Sequence, residues 1–228
     1  PIDGFQEGLF SFIKDILPPQ TFEAVNVVIG DIINNQYGGL LSFGFLLSIF
    51  LMTNGVNAIF GGFEYSYHVK EIRNIFRSYF ISLGVSLLIS LFLIITIILV
   101  IWYQVALFKI NENGWLHTDD LNLFYYGRGF LFLVMIFTIV SLLFRYGTKQ
   151  GKETRFFSEG AILTTILSLC TFYLFGIYVV KFAQYNQLYG SIGTLLILML
   201  FVWLNSIILL LGFELNASLY SLRQINKT

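Results

Sequence analysis

The sequence predicts an all-α fold: a bundle of five transmembrane helices, preceded by amphipathic helices that lie along the membrane surface. Only 11% of the 228 residues are charged, against roughly 25% in soluble domains. The mean hydropathy is +0.78, and the apolar residues are collected in five long runs. The last run has no charged residue in the 32 positions between Lys181 and Glu214. Because about 20 apolar residues suffice to cross the hydrocarbon, this run alone can span a membrane.

The first 38 residues are amphipathic rather than membrane-spanning. Apolar residues recur with helical spacing on both sides of Pro18-Pro19, which ends the first of two helices. The polar positions are mainly acidic: Asp3, Glu7, Asp15, Glu23 and Asp31. We therefore predict that segment 1–38 forms two short helices lying along the membrane surface.

The first two predicted spans are residues 39–63 and 78–104. Small residues recur along one side of the first span, and we expect them to let a neighbouring helix approach closely; they are Gly44, Ser48, Gly55 and Gly62. The second span has serines four positions apart, which predict helix contacts; they are Ser82, Ser86 and Ser90. Asn57, near the end of the first span, is a candidate polar position at membrane depth.

The third and fourth predicted spans are residues 128–145 and 159–181. The third is short, but Arg128 and Arg145 can extend toward the headgroups from its two ends. The fourth contains the chain's single cysteine, Cys170, which we interpret as a small apolar filler. One cysteine supports neither a disulfide framework nor a thiolate metal site.

The last predicted span, 190–222, completes a bundle over 39–222 and leaves a short tail at 223–228. Asn205, Gly212 and Asn216 fall within roughly 40° on a helical wheel, whereas Glu214 points the opposite way. We therefore expect this helix to lie centrally, surrounded by the other helices, and Asn205 to bond to a neighbouring helix. Glu214 has two interpretations of equal weight: a functional intramembrane carboxylate, or a group at the headgroup level.

The distribution of basic residues predicts the orientation. Nine of them fall on one side of the predicted bundle: Lys70, Arg73, Arg77, Arg145, Lys149, Lys152, Arg155, Arg223 and Lys227. The positive-inside rule places this side, with the C-terminus, in the cytoplasm. Segment 1–38 then lies outside, and we expect one more span upstream of Pro1, making six in the full protein. The candidate contacts for anionic lipid are Lys149, Lys152 and Arg155.

The chain resembles the YihY/BrkB family of bacterial inner-membrane proteins, once mislabelled ribonuclease BN. The resemblance rests on Y-x-x-x-Y-G-S-I-G from Tyr185, on L-G-F-E-L-N-A ending at Ala217, and on Asn57-Ala58 followed by a basic loop. Where the family usually has Pro-Gly-Ala, this chain has Glu159-Gly160-Ala161. The resemblance implies six spans, a location in the bacterial cytoplasmic membrane, and transport with links to envelope lipid traffic.

We expect a transporter or lipid-handling component of the cell envelope, with membrane lipids as partners. The alternative is a structural or partner subunit that anchors an envelope complex; an envelope protein partner and a homo-oligomer both stay open. The candidate polar positions are Asn57, Asn205, Glu214 and Asn216. A zero net charge argues against nucleic-acid binding. Because catalytic and phosphate-binding motifs are missing from the sequence, we expect no enzyme, no catalytic residue, no cofactor and no metal.

Overall fold

A computed structural model describes the chain at residues 10–11, 13–14, 22–23, 25–27, 29–30, 38–66, 69, 72–112, 121–149, 151, 156–182 and 191–225. The five long helices are α1 Gly38–Glu64, α2 Ile75–Glu112, α3 Leu121–Gly147, α4 Glu159–Phe182 and α5 Ser191–Ile225. Each contains a stretch long and apolar enough to cross a membrane. No strand occurs among these residues, so the predicted all-α membrane bundle is confirmed.

The helix ends extend past the predicted spans. Helix α2 continues to Glu112, beyond the predicted end at 104, and α3 begins at Leu121 rather than at 128. The apolar part of α3, Gly127–Gly147, is close to the predicted span. Apolarity marks only the part of a helix that lies in hydrocarbon, whereas the backbone hydrogen bonds of a helix can continue into water.

The helices are arranged so that consecutive ones are neighbours. Helix α1 also contacts α3 and α5. Since successive crossings alternate in direction, α1, α3 and α5 end on the same side of the membrane. Hydrogen bonds between Ser66 and Glu214, and between Arg73 and Tyr146, hold these three ends together. We call this side of the bundle the basic end and the opposite side the far end.

Four aromatic rings form the centre of the core near the basic end. The fully buried Phe63 stacks on Phe213 with ring centroids 4.3 Å apart and meets Phe144 edge-on at 5.7 Å. Phe60 lies 6.5 Å from Phe63. Gly147 is tightly packed against this group, because a Cβ there would overlap the ring of Phe63. These rings, which we call the phenylalanine cluster, join α1, α3 and α5; each such pair adds about 0.5–1.5 kcal/mol beyond simple burial.

Helix α5 lies at the rim of the bundle, so the prediction of a central last helix is wrong. Only 6% of an 18-residue apolar stretch of α5 is buried, against 33% of the corresponding stretch of α3. Met199 and Trp203 are 60% and 58% exposed. The buried residues Gly212 and Asn216 lie in the second half of the helix. They need protein neighbours only there, and the apolar remainder can face lipid.

Most of the predicted surface segment 1–38 lies outside the described residues. Those that are described before residue 31 are helical. The guanidinium of Arg128 donates to the carbonyl oxygen of Ser11 at 2.8 Å. Because Arg128 lies at the start of the apolar part of α3, this contact puts Ser11 at the far end of the bundle.

Candidate functional site

Asn216 links α5 to the first turn of α4. Its Oδ1 accepts a hydrogen bond from the backbone N–H of Gly160 at 2.7 Å, and its Nδ2 donates to Ser158 Oγ at 2.9 Å. Ser158 in turn accepts from the N–H of Ala161, as an N-cap serine does. The amide is buried, with 6% of the residue exposed. Asn216 therefore supplements the cap of α4 from another helix, which is a structural role.

Replacing Asn216 with leucine should lower stability, because it leaves the N–H of Gly160 without its partner and removes one of the two hydrogen bonds of the Ser158 hydroxyl. Each unsatisfied buried group costs about 1–3 kcal/mol. The matched control is Asn54→Leu, since Asn54 is exposed on α1. We expect purified Asn216→Leu to lose its monodisperse peak in size-exclusion chromatography at a lower temperature than wild type. Equal midpoints for the two variants would show that the cap contributes nothing.

Two glycines allow α4 and α5 to cross at close range. A Cβ at Gly160 would overlap the carbonyl oxygen of Gly212 and lie 2.6 Å from Asn216 Cγ. A Cβ at Gly212 would overlap Thr164 Oγ1 and lie 2.8 Å from the carbonyl oxygen of Gly160. Both positions therefore require glycine. The predicted common face of Gly212 and Asn216 is confirmed, and that face contacts α4.

Glu214 lies on another side of α5 and faces α1. Ser66 Oγ donates to Glu214 Oε2, and Glu214 is half-buried. Ser66 is the second residue after the end of α1. The carboxylate therefore lies at the basic end. The Ser66–Glu214 bond therefore links α1 to α5, and both interpretations of Glu214 stay predictions.

Arg73 is a buried cation that the sequence analysis used only for orientation. Its Nη1 donates to the carbonyl oxygen of Tyr146 at 2.6 Å, at the C-terminal turn of α3, and its backbone N–H donates to Glu64 Oε1 at 3.3 Å. It is 5% exposed. Burial lowers the pKa of the guanidinium, while Glu64 raises it and Arg77 lowers it further. An arginine stays charged at neutral pH despite such a shift. The charged guanidinium of Arg73 therefore holds the α1–α2 connection against the end of α3 through its bond to Tyr146.

Asn57 connects α1 to α2. Its Oδ1 accepts from Ser78 Oγ and from Ser82 Oγ, each at 3.2 Å. One turn away, the hydroxyls of Thr53 and Ser86 are also 3.2 Å apart. The predicted contacts of Ser82 and Ser86 are confirmed, and Asn57 belongs to a polar seam between two helices.

Asn205 bonds within its own helix. Its Nδ2 donates to the carbonyl oxygen of Phe201 at 2.9 Å, four residues earlier in α5. We expected this amide to reach a neighbouring helix, and the observed bond corrects that expectation. Because the amide can hydrogen-bond to the backbone of its own helix, it needs no polar partner on α4.

Among the described residues, the small residues of α1 contact a neighbouring helix only near the basic end. A Cβ at Gly62 would lie 3.5 Å from Leu210 Cδ2 of α5, whereas nothing lies within 4 Å of a Cβ at Gly55 or Gly44. The expectation that the whole series packs against a helix is therefore wrong. The same face of α1 that meets α5 at Gly62 is left open toward the far end.

The facing side of α5 is open in the same way. Helical spacing puts Met199, Trp203 and Ser206 on the side of α5 that meets α1 at Leu210. All three are exposed, and nothing lies within 4 Å of a Cβ at Gly55 on the facing side of α1. The two helices therefore diverge from the Gly62–Leu210 contact. We call the space between them the α1–α5 cleft; its lining residues are Gly44, Ser48, Gly55, Met199, Trp203 and Ser206.

Of the three candidate anionic-lipid contacts, only Lys149 can be located. It is exposed just after the end of α3, at the basic end. Lys152 and Arg155 lie outside the described residues. An exposed ion pair joins Arg223 to Glu159 at 2.6 Å on the same end, which ties the last turn of α5 to the first turn of α4.

Ser158, Ser66 and Arg73 make contacts that join helices at the basic end, and we predicted none of these contacts from the sequence. A serine followed by Glu159 at a helix start is a recognisable cap signal and could have identified Ser158. Ser66 and Arg73 sit in a turn without periodicity, so no local pattern marks them. Among the described residues, no group of three His, Cys, Asp or Glu side chains is placed to hold a metal ion.

Comparison with known proteins gives a consistent family assignment. The profile of the family described as Virulence factor BrkB matches residues 3–227. The ribonuclease-like protein YfkH of Bacillus subtilis is 29% identical over 231 residues, covering 96% of this chain and 80% of YfkH. A UPF0761 membrane protein of Xanthomonas oryzae is 28% identical over 121 residues, 53% of this chain and 27% of that protein. No solved structure matches. With five apolar helices of spanning length, the chain is a multi-pass membrane protein that belongs to the BrkB family.

Proposed function

We propose that this protein is a transport component of the bacterial cytoplasmic membrane that handles lipids. The observation that supports this proposal is the α1–α5 cleft, which lies between two apolar helices and is closed at the basic end by the phenylalanine cluster. A path for an amphiphile needs an apolar groove that opens to the bilayer, and a cleft at the rim of the bundle meets that need. A central helix surrounded by others would leave no such opening.

The proposed orientation puts the basic end and the C-terminus in the cytoplasm. It is supported by the excess of Lys and Arg on that side, which the positive-inside rule places in the cytoplasm. The inner leaflet carries anionic lipids, and basic residues near a membrane surface attract them with about 1 kcal/mol each. We propose that Lys149, together with Lys152 and Arg155, contacts anionic headgroups there.

We propose a non-enzymatic role and do not extend the ribonuclease-like name of the Bacillus relative to this chain. A hydrolytic site needs carboxylates or histidines that can reach a substrate. The carboxylates described at the basic end are engaged in holding helices or turns together: Glu64 with Arg73, Glu159 with Arg223, and Glu214 with Ser66. These bonds support a structural use of the charged groups.

Lipid movement across vesicles containing the purified protein tests the proposal. A trace of fluorescent phospholipid is bleached from outside with an impermeant reductant, so that lipid of the inner leaflet is lost only if it crosses. We expect wild-type protein to expose both leaflets and the double variant Ser48→Leu/Gly55→Leu, which fills the cleft, to slow the exchange at least tenfold. The control Gly84→Leu lies at an exposed site of α2 with nothing within 4 Å and should match wild type.

Two outcomes would contradict the transport proposal. Wild-type vesicles that bleach no further than protein-free vesicles would remove lipid movement as the function. If the same inactive protein also copurified with one envelope protein at a fixed ratio, the alternative role as a partner subunit would replace it.

A further inference from the structure

We propose that Arg73, Arg77 and the first turn of α2 bind the phosphate of an anionic phospholipid in the leaflet at the basic end. The inference adds one defined site to the proposed contact with anionic headgroups, and it does not require that the protein moves lipid. Three observations support it: a buried guanidinium with free donors, a second guanidinium near it, and a helix start whose N–H groups have no acceptor.

Arg73 has more hydrogen-bond donors than its described partners use. A guanidinium carries five N–H donors, and Nη1 donates to the carbonyl oxygen of Tyr146, whereas Nε and Nη2 donate to no described residue. The residue is 5% exposed. The fully sealed polar atoms without a partner in the described part of the chain are Ser141 Oγ and Thr164 Oγ1. The free nitrogens of Arg73 therefore reach the surface, where a ligand can accept from them.

The charges around Arg73 leave one positive charge in excess. Burial lowers the pKa of Arg73, Glu64 raises it, and Arg77 lowers it further, so both charged side chains lie near the guanidinium. Glu64 accepts from the backbone N–H of Arg73, and no described carboxylate forms an ion pair with the guanidinium. Two guanidinium groups and one carboxylate sum to a single positive charge. A phosphodiester carries one negative charge and would offset the cost of burying a cation near a like charge.

The first turn of α2 supplies further donors. The first hydrogen bond of the helix joins the N–H of Ser78 to the carbonyl oxygen of Asn74 at 2.9 Å. The N–H groups of residues 75–77 therefore have no acceptor within the helix, and no described side chain accepts from them. The turn contains no acidic residue. A helix start of this kind carries a partial positive charge and binds phosphate through its N–H groups, here next to two arginines.

The position of these donors favours a lipid phosphate over a free ion. The apolar stretch of α2 starts at Ile75, and the end of a stretch that crosses the hydrocarbon lies beside the headgroups. Ile75, Phe76 and Phe80 are 80%, 76% and 70% exposed next to the donors. An amphiphile can contact the guanidinium groups with its phosphate and these side chains with its acyl chains, whereas inorganic phosphate can make only the first contact.

Binding of a short-chain lipid tests the proposal. The purified protein in neutral detergent is titrated with dioctanoyl phosphatidylglycerol, and native mass spectrometry measures the fraction that holds one lipid. We expect Arg77→Ala to weaken this binding about tenfold, because it removes a charge-assisted hydrogen bond. Arg77 is exposed, so this variant should fold. Arg73→Lys keeps the charge but loses the planar pair of donors, and it should weaken binding by a similar factor.

The matched control removes a positive charge elsewhere at the basic end. Arg223 forms an exposed ion pair with Glu159, and Arg223→Gln should change the affinity by less than about twofold. Two competitors identify the ligand. Dioctanoyl phosphatidylcholine, whose choline cation would be repelled by the guanidinium groups, and inorganic phosphate should each fail to displace the anionic lipid at equal concentration.

Equal weakening by Arg77→Ala and Arg223→Gln would overturn the site, because overall charge alone would then explain binding. Unchanged affinity in Arg77→Ala and Arg73→Lys would overturn it as well. Displacement by inorganic phosphate would overturn the lipid as the ligand, and displacement by the choline lipid would overturn the role of the excess charge. Arginine-dependent binding without lipid movement in vesicles would support this site and remove transport alone, whereas movement without such binding would remove the site alone.

Discussion

The Gly160→Ala variant is expected to be the most damaging single-methyl change in the bundle, lowering the free energy of unfolding by about 3 kcal/mol. The added Cβ would overlap the carbonyl oxygen of Gly212, which is backbone and cannot rotate away. Helices α4 and α5 would have to separate. Separation would also lengthen both hydrogen bonds of Asn216 to the start of α4.

The matched control for this prediction lies on the same helix. Nothing lies within 4 Å of a Cβ at Gly176, and alanine is the better helix former by about 1 kcal/mol. Gly176→Ala should therefore unfold at or slightly above the wild-type temperature. Thermal unfolding of both proteins in the same detergent measures the difference. If Gly160→Ala were as stable as Gly176→Ala, the close crossing of α4 and α5 would be refuted.

Arg73→Ala should have the second-largest effect, a loss of about 2–4 kcal/mol. The change removes a buried guanidinium and leaves the carbonyl oxygen of Tyr146 and the carboxylate of Glu64 without their charged neighbour. The connection between α1 and α2 would then no longer be fastened to α3. Since arginine keeps its charge throughout the neutral range, we expect the loss to be the same at pH 6 and pH 9.

The exposed Arg77 provides the comparison for Arg73, because it lies four residues later and carries the same charge. Arg77→Ala should change stability by less than about 0.5 kcal/mol. Limited proteolysis gives a second measurement: Arg73→Ala should be cut between α1 and α2 faster than wild type, and Arg77→Ala should not. Equal cleavage rates in all three proteins would rule out the anchoring role of Arg73.

The L-G-F-E-L-N-A segment shows what a helical wheel can and cannot predict. The wheel correctly separated Glu214 from Gly212 and Asn216, and the structure gives the two faces different neighbours, α1 and α4. The conclusion that α5 must be central did not follow. A helical wheel gives the direction of each side chain but not its position along the helix. All three residues lie within five positions in the second half of α5, so protein neighbours are needed over little more than one turn.

Hydrogen-bond partners were the least predictable feature of the site. Asn57 and Asn205 are the same residue type at similar depth, yet Asn57 bonds to serines of α2 whereas Asn205 bonds to the backbone of its own helix. An amide can reach its own backbone in any helix. Whether it reaches a neighbour instead depends on how close that neighbour comes.

The sequence by itself determined that the described part of the chain contains five helices able to cross a membrane. In hydrocarbon the backbone N–H and C=O groups of such long apolar runs can hydrogen-bond only within the helix. The tertiary structure decided which faces of those helices meet. Apolar faces gain little from choosing a neighbour helix over lipid. The neighbours are therefore determined by a few close approaches and buried hydrogen bonds, at Gly160, Arg73 and Asn216. These contacts hold the helices together at the basic end, and α1 and α5 separate away from it.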